Sequence, residues 1–243
     1  PPPLVGNFSW TPKPGCAGQA VQFTDQSTGS ISGRSWSFPG GTPATSTQTN
    51  PTVTWATAGV KNVTLTLSGV GGPVSSTKQI TINPKPVANF TSSINGLTAT
   101  FTNSSTNATS YSWDFGDGGT STDVNPVYTY NMSGIYTVVL TATNDCGTAT
   151  KTFVVNTAPT ADFTATPTAG CTPLVVSFQN QSSSNAVSYL WTFQGGTPAN
   201  STQANPTVTY LNQGNFSVTL KATNGSGSNT VTKTNYITAV NPP

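Results

Sequence analysis

The chain has 243 residues, of which 6% are charged and 9% aromatic, and its formal net charge is +2. Its basic residues (Lys13, Arg34, Lys61, Lys78, Lys85, Lys151, Lys221 and Lys233) are scattered without a run, which does not suit a binder of nucleic acid or of an acidic membrane surface. There is no His, and the acidic residues are all Asp, so no Ser-His-Asp or Cys-His arrangement and no His-ligated metal site can be built.

No apolar run approaches the roughly 20 residues that a membrane-spanning helix needs. No stretch has the basic end and apolar middle of a signal peptide. The ends, Pro1 to Pro3 and Asn241 to Pro243, read as linkers cut from something longer. Low charge with abundant Ser, Thr, Asn, Gly and Pro is often a signature of disorder. Here aromatic residues recur on alternating Thr/Val segments, which points to ordered β structure.

A repeat of nearly 80 residues organises the chain. Trp36, Trp113 and Trp191 lie 77 and 78 apart, and Phe23, Phe101 and Phe178 lie 78 and 77 apart. Each repeat opens with a strand carrying Phe8, Phe90 or Phe163. A second strand carries Phe23, Phe101 or Phe178. The third holds an aromatic pair two residues apart: Trp36 and Phe38, Trp113 and Phe115, Trp191 and Phe193. Period-two spacing puts both rings of a pair on one face of a strand, where they fill a core. Next come Asn50-Pro51, Asn125-Pro126 and Asn205-Pro206, each opening a short strand that ends in Trp55, Tyr130 or Tyr210. Pro at the first position of a strand costs no ladder hydrogen bond.

The longest β signals start at Gly59, Gly134 and Gly214. In the second of them Val138, Leu140 and Ala142 point one way and Thr137, Val139 and Thr141 the other, as in a half-buried strand. Closing strands are expected over 78–82, 152–155 and 235–240. No stretch sustains a 3.6-residue period, so almost no helix is expected. Six or seven short strands per repeat, with turn signals every 8–12 residues, predict a sandwich of the immunoglobulin type. The repeat boundaries fall at Pro-bearing links and give domains 1–84, 85–158 and 159–243. Such short, stiff links favour an extended rod.

The block Tyr111-Ser-Trp-Asp-Phe-Gly-Asp-Gly118, with counterparts Ser35-Trp-Ser-Phe-Pro-Gly-Gly41 and Leu190-Trp-Thr-Phe-Gln-Gly-Gly196, resembles the signature of the PKD (polycystic kidney disease) domain. The resemblance covers essentially the whole chain and is most specific in the second repeat. The first and third look like the Gly-Gly-Thr-Pro-Ala variant common in large bacterial surface proteins. It implies an all-β chain of three tandem immunoglobulin-like sandwiches with a non-catalytic extracellular role.

Asp114 and Asp117 are the one close carboxylate pair. As a calcium site they fall short of six or more oxygen ligands, and three-residue spacing in a turn is poor geometry for glycoside hydrolysis. Capping of the turn is the simpler role. The other repeats carry Ser37 and Pro39, or Thr192 and Gln194, at these places, so a shared ligand role does not follow. Trp10 has no aromatic counterpart, since Ser92 and Ala165 match it in the other repeats, and it is the best candidate for a surface aromatic that stacks on a ligand.

Cys16 and Cys171 occupy equivalent positions before the second strand, while Cys146 lies in the hairpin after the long strand. In immunoglobulin-like modules the first hairpin sits at the C-terminal end and the later one at the N-terminal end. Modules stacked end to end would bring Cys16 to Cys146, an inter-domain disulfide. Cys171 is then left for a following module or another subunit, or unpaired; the alternative is three free thiols. The function expected is a structural or adhesive segment of a large surface or secreted protein, forming filaments, with neighbouring modules or its own copies as partners. The rival is a set of accessory modules that bind polysaccharide or a collagen-like protein beside a secreted hydrolase.

Overall fold

The structure, a computed structural model, describes residues 2–243; Pro1 lies outside them. Among the described residues every regular element is a strand. The chain forms two compact units, one reaching to Asn89 and including Ser105–Tyr111 and Thr141–Thr150, the other made of Phe90–Ser104, Ser112–Leu140 and Lys151–Pro243.

In the first unit the first repeat is a sandwich. One sheet has the order Phe8–Thr11, Ala20–Asp25, Thr52–Trp55, Gly41–Thr42; the other runs Gly15–Cys16, Val74–Asn83, Gly59–Gly69, Ile31–Ser37, Thr45–Ser46. Alternation along the strands sends Val21, Phe23, Val53, Trp55, Val63, Leu65 and Leu67 into the space between the sheets, where all are fully buried. Trp36 and Phe38 stack with ring centroids 5.7 Å apart, and Phe23 packs 5.0 Å from Phe38. A buried indole N–H needs an acceptor: Trp36 Nε1 donates to Gln48 O at 2.9 Å and Trp55 Nε1 to Pro39 O at 3.0 Å.

In the second unit the third repeat has the same plan. Its sheets run Phe163–Thr166, Leu174–Asn180, Thr207–Tyr210, Gly196–Thr197 and Ala169–Cys171, Gly227–Val240, Gly214–Asn224, Ser188–Phe193, Asn200–Ser201. Trp191 is fully buried against Phe163 and Phe193 and donates to Gln203 O at 2.9 Å. The part of the second repeat in this unit holds the three-stranded sheet Phe90–Asn95, Thr98–Asn103, Val127–Thr129. Trp113, fully buried, packs edge-on to Phe90 at 4.9 Å and donates to Asp123 O at 2.9 Å. Gly116 is required here: its φ is +84°, and a Cβ would lie 2.6 Å from Thr137 O.

The closing strands are longer than the sequence suggests: Val74–Asn83, Gly147–Asn156 and Gly227–Val240. Their outer halves are Ser/Thr-rich and largely exposed, so no apolar alternation marks them. Two-residue strands such as Gly41–Thr42, Thr45–Ser46, Gly196–Thr197 and Asn200–Ser201 are too short to carry a period at all.

Candidate functional site: the joints between repeats

Polar side chains concentrate where one repeat hands over to the next. Within the first unit, the hairpin that follows Ile135–Asn144 meets the linker at Asn83 and Pro84. Cys146 of that hairpin is bonded to Cys16, with Cα atoms 5.4 Å apart. Asn144 donates through Nδ2 to Pro84 O (3.0 Å) and Asn107 O (2.5 Å), and its Oδ1 accepts from Cys146 N at 2.7 Å. Asn107 Nδ2 reaches Lys85 O at 3.4 Å. One amide therefore shapes the hairpin with its oxygen and grips the linker backbone with its nitrogen.

The second unit repeats this with different chemistry at the cysteine position. Asn224 Nδ2 donates to Thr157 O (2.8 Å), Asn185 O (3.1 Å) and Asn156 Oδ1 (3.2 Å), and its Oδ1 accepts from Ser226 N at 2.9 Å. Asn185 Nδ2 donates to Thr157 O at 2.8 Å and Asn156 Oδ1 at 3.1 Å. Ser226, the counterpart of Cys146, donates its hydroxyl to Asn156 O. Thr157, fully buried, is also held from the second repeat, its N–H donating to Gly134 O at 3.0 Å. Asn185 and Asn224 are about 5% and 6% exposed. Buried amides are tolerated because their hydrogen-bonding groups find partners. In the first repeat Ser30 and Gly69 stand at these positions, and a Cβ on Gly69 would meet Ser30 O at 2.1 Å.

The carboxylates singled out in the sequence sit in turns. Asp114 Oδ1 accepts from Gly116 N at 2.9 Å, and Asp117 Oδ1 from Gly119 N at 3.0 Å; Tyr128 OH lies 2.9 Å from both Asp117 oxygens. Burial and the neighbouring Asp117 carboxylate both push the Tyr128 hydroxyl pKa up. No group of three or more His, Cys, Asp or Glu that could hold a metal occurs among the described residues. An open crevice beside the second joint is lined by Leu97, Asn131, Met132, Ser133, Thr160 and Asp162, and Asp162 is paired with Lys233 at 3.1 Å. Trp10 is half-buried against Phe8, with Lys13 Nζ 4.3 Å from its ring centre. Cys171 is a free, exposed thiol.

Sequence reasoning missed Asn107, Asn185 and Asn224 as joint residues. A signal existed: both the second and third long strands end in Ala-Thr-Asn, where the first ends in Leu-Ser-Gly. It also missed the ion pair of Asp25 with Arg34, whose Nε lies 2.5 Å from Oδ2.

A family model described as PKD domain matches residues 9–84, 83–155 and 156–239. The chain belongs to the PKD-domain family. Its modules are tandem and all-β, of the immunoglobulin-like kind. The chain is 42% identical over 80 residues to Pre-pro-metalloprotease PrtV of Vibrio cholerae serotype O1 (strain M66-2), a match covering 31% of this chain and 9% of that protein. It is 55% identical over 42 residues to Collagenase ColQ1 of Bacillus cereus (strain Q1), covering 17% of this chain and 4% of that one. Among solved structures it is similar to the PKD1 domain of Vibrio anguillarum Epp, at 40% identity and a TM-score of 0.30, over 31% of this chain and 95% of that chain. The chain thus matches less than a tenth of the length of these curated relatives.

Proposed function

We propose that this run of PKD modules is a non-catalytic, extracellular structural segment of a larger repeat-containing protein, whose partners are neighbouring modules or copies of itself, assembling into adhesive filaments. The observation that carries this reading is the double use of one device: at both joints an Asn of the closing hairpin grips the linker backbone, and at one a disulfide is added. Modules that merely tether a catalytic domain do not need pinned joints, whereas a segment that transmits force or sets a spacing does. A disulfide also suits an oxidising compartment. With His absent, no Ser-His-Asp or Cys-His arrangement can be built.

A second reading has its own support. The chain is similar to short stretches of proteins named as a metalloprotease and a collagenase, so accessory modules that bind a protein or polysaccharide substrate are the alternative. Single-molecule pulling separates the two when combined with sedimentation on insoluble collagen, chitin and cellulose. The structural reading expects the purified chain to stay in the supernatant with all three, and to show discrete module-unfolding steps under load. Retention on one of the three solids at micromolar protein would replace it with the accessory reading.

A further inference from the structure

The far end of the third module reproduces the end of the first module that is occupied by the second. In the first module Gly15–Cys16 runs parallel to the closing strand, with Cys16 opposite Asn83, and Ala17 N donates to Asn83 O at 2.9 Å. In the third, Ala169–Cys171 runs parallel to its closing strand, with Cys171 opposite Val240, and Thr172 N donates to Val240 O at 2.8 Å. The two cysteines are therefore in the same place on the same surface. One is bonded to a hairpin and about 6% exposed; the other is free and exposed.

The occupant of the first surface defines what the second would accept. The hairpin Asn144-Asp-Cys-Gly147 offers a thiol to Cys16 and an amide to Pro84 O. The side-chain hydrogen bond of that hairpin to the linker, from Asn144 Nδ2 to Pro84 O, is made to a backbone carbonyl. It therefore does not depend on the side chains that differ at Val240 and Asn241. We propose that the Cys171 end of the third module is a docking site for a further PKD module whose closing hairpin has the Asn-x-Cys-Gly form, sealed by a disulfide to Cys171. The hairpins already in this chain do not qualify. The first carries Gly69 and Gly71 at the Asn and Cys positions, the third carries Ser226, and Cys146 is already bonded to Cys16. The inference goes beyond the structural reading and also holds if the modules are substrate-binding accessories.

Closing the bridge removes two protons and two electrons from the two thiols. In a glutathione redox buffer, glutathione disulfide accepts them and leaves as two glutathione thiols. The test is the full chain extended in register, residues 1–240 followed by a second copy of residues 84–243 in which Cys171→Ser removes the duplicate thiol, refolded in that buffer and mapped by non-reducing peptide mass spectrometry. A second arm mixes the native chain with its Cys16→Ser variant, which has a free Cys146, and so separates a partner in another chain from one in the same chain. The expected result is a bridge from Cys171 to the appended copy of Cys146, with loss of Cys171 alkylation by iodoacetamide; a bridge from Cys171 to Cys146 of the variant would place the partner in another chain and also supports the site. Formation of Cys16–Cys146 in the same molecule verifies that the extended chain has folded. If Cys171 stays fully alkylated in both arms while Cys16–Cys146 forms, or pairs only with Cys171 of another copy, the docking site does not exist. Changing the appended copy of Asn144 to Ala is expected to slow closure of the new bridge relative to Cys16–Cys146.

Discussion

Asn144 and Asn224 do the same job in successive modules. Each ends the long strand of its module, bends the following hairpin by accepting from the N–H two residues on, and turns its Nδ2 onto the carbonyl of the linker residue that precedes the module: Pro84 O at 3.0 Å for Asn144, Thr157 O at 2.8 Å for Asn224. In the second joint the linker adds anchors of its own: Asn156 Oδ1 accepts from both Asn185 and Asn224, and Thr157 Oγ1 bonds Gly134.

Asn224→Ala would leave Asn185 O without its side-chain donor in a buried site, and would leave Thr157 O with the Asn185 amide alone. Each unsatisfied group costs about 1–3 kcal/mol. The expected outcome is a loss of that order in the stability of the joint, read as faster amide exchange at Thr157 and Ala158 while the core of the third module stays protected. Unchanged exchange at both amides would show that Asn224 does not hold the linker.

Trp113→Ala removes a fully buried indole and orphans Asp123 O. A loss of about 3–5 kcal/mol is expected for a core aromatic, close to the whole stability of a small module. Thermal melting followed by near-ultraviolet circular dichroism should show the second module's transition lost or shifted strongly down. A melting profile identical to that of the native chain would refute the core role.

Burial raises the Asp25 carboxyl pKa, but the hydrogen bonds from Arg34 and Ser27 outweigh it and leave the group below the usual carboxylate range. A depressed folded-state pKa contributes stability that is complete above the unfolded value of about 3.9 and is lost as pH falls through the folded value. The first module should therefore hold its stability from neutral pH to about 5 and lose it progressively below about 4. Asp25→Asn should flatten this acid limb in urea titrations run at successive pH values. An unchanged limb would assign the loss to other carboxylates.

Tyr130 and Tyr210 are counterparts with opposite satisfaction. Tyr130 OH donates to Phe115 O at 3.1 Å, whereas Tyr210 OH is buried with no hydrogen-bond partner among the described residues, and burial pushes its pKa up to about 12. Tyr130→Phe should cost about 1 kcal/mol, because it leaves a buried carbonyl unpaired. Tyr210→Phe should be neutral or stabilising by about 1 kcal/mol. Equal effects of the two changes in denaturant titrations would contradict the difference in pairing.

Much of the architecture was legible in the chain itself. The spacing of Trp36, Trp113 and Trp191 and the alternation through Val138, Leu140 and Ala142 report local requirements, because a strand's period and the aromatic load of a small core are written in consecutive residues. The closing strands were underestimated because Ser and Thr on an exposed face carry no periodic signal. The joints belong to the tertiary structure. The Cys16–Cys146 bridge, across 130 residues, was legible from the places of the two cysteines in the repeat, whereas Asn185 and Asn224 become joint residues only where folding brings a loop and a hairpin onto one linker. Most of these hydrogen bonds go to backbone carbonyls, which select for position rather than for a partner side chain, so apart from Asn156 little in the linker sequence announces them.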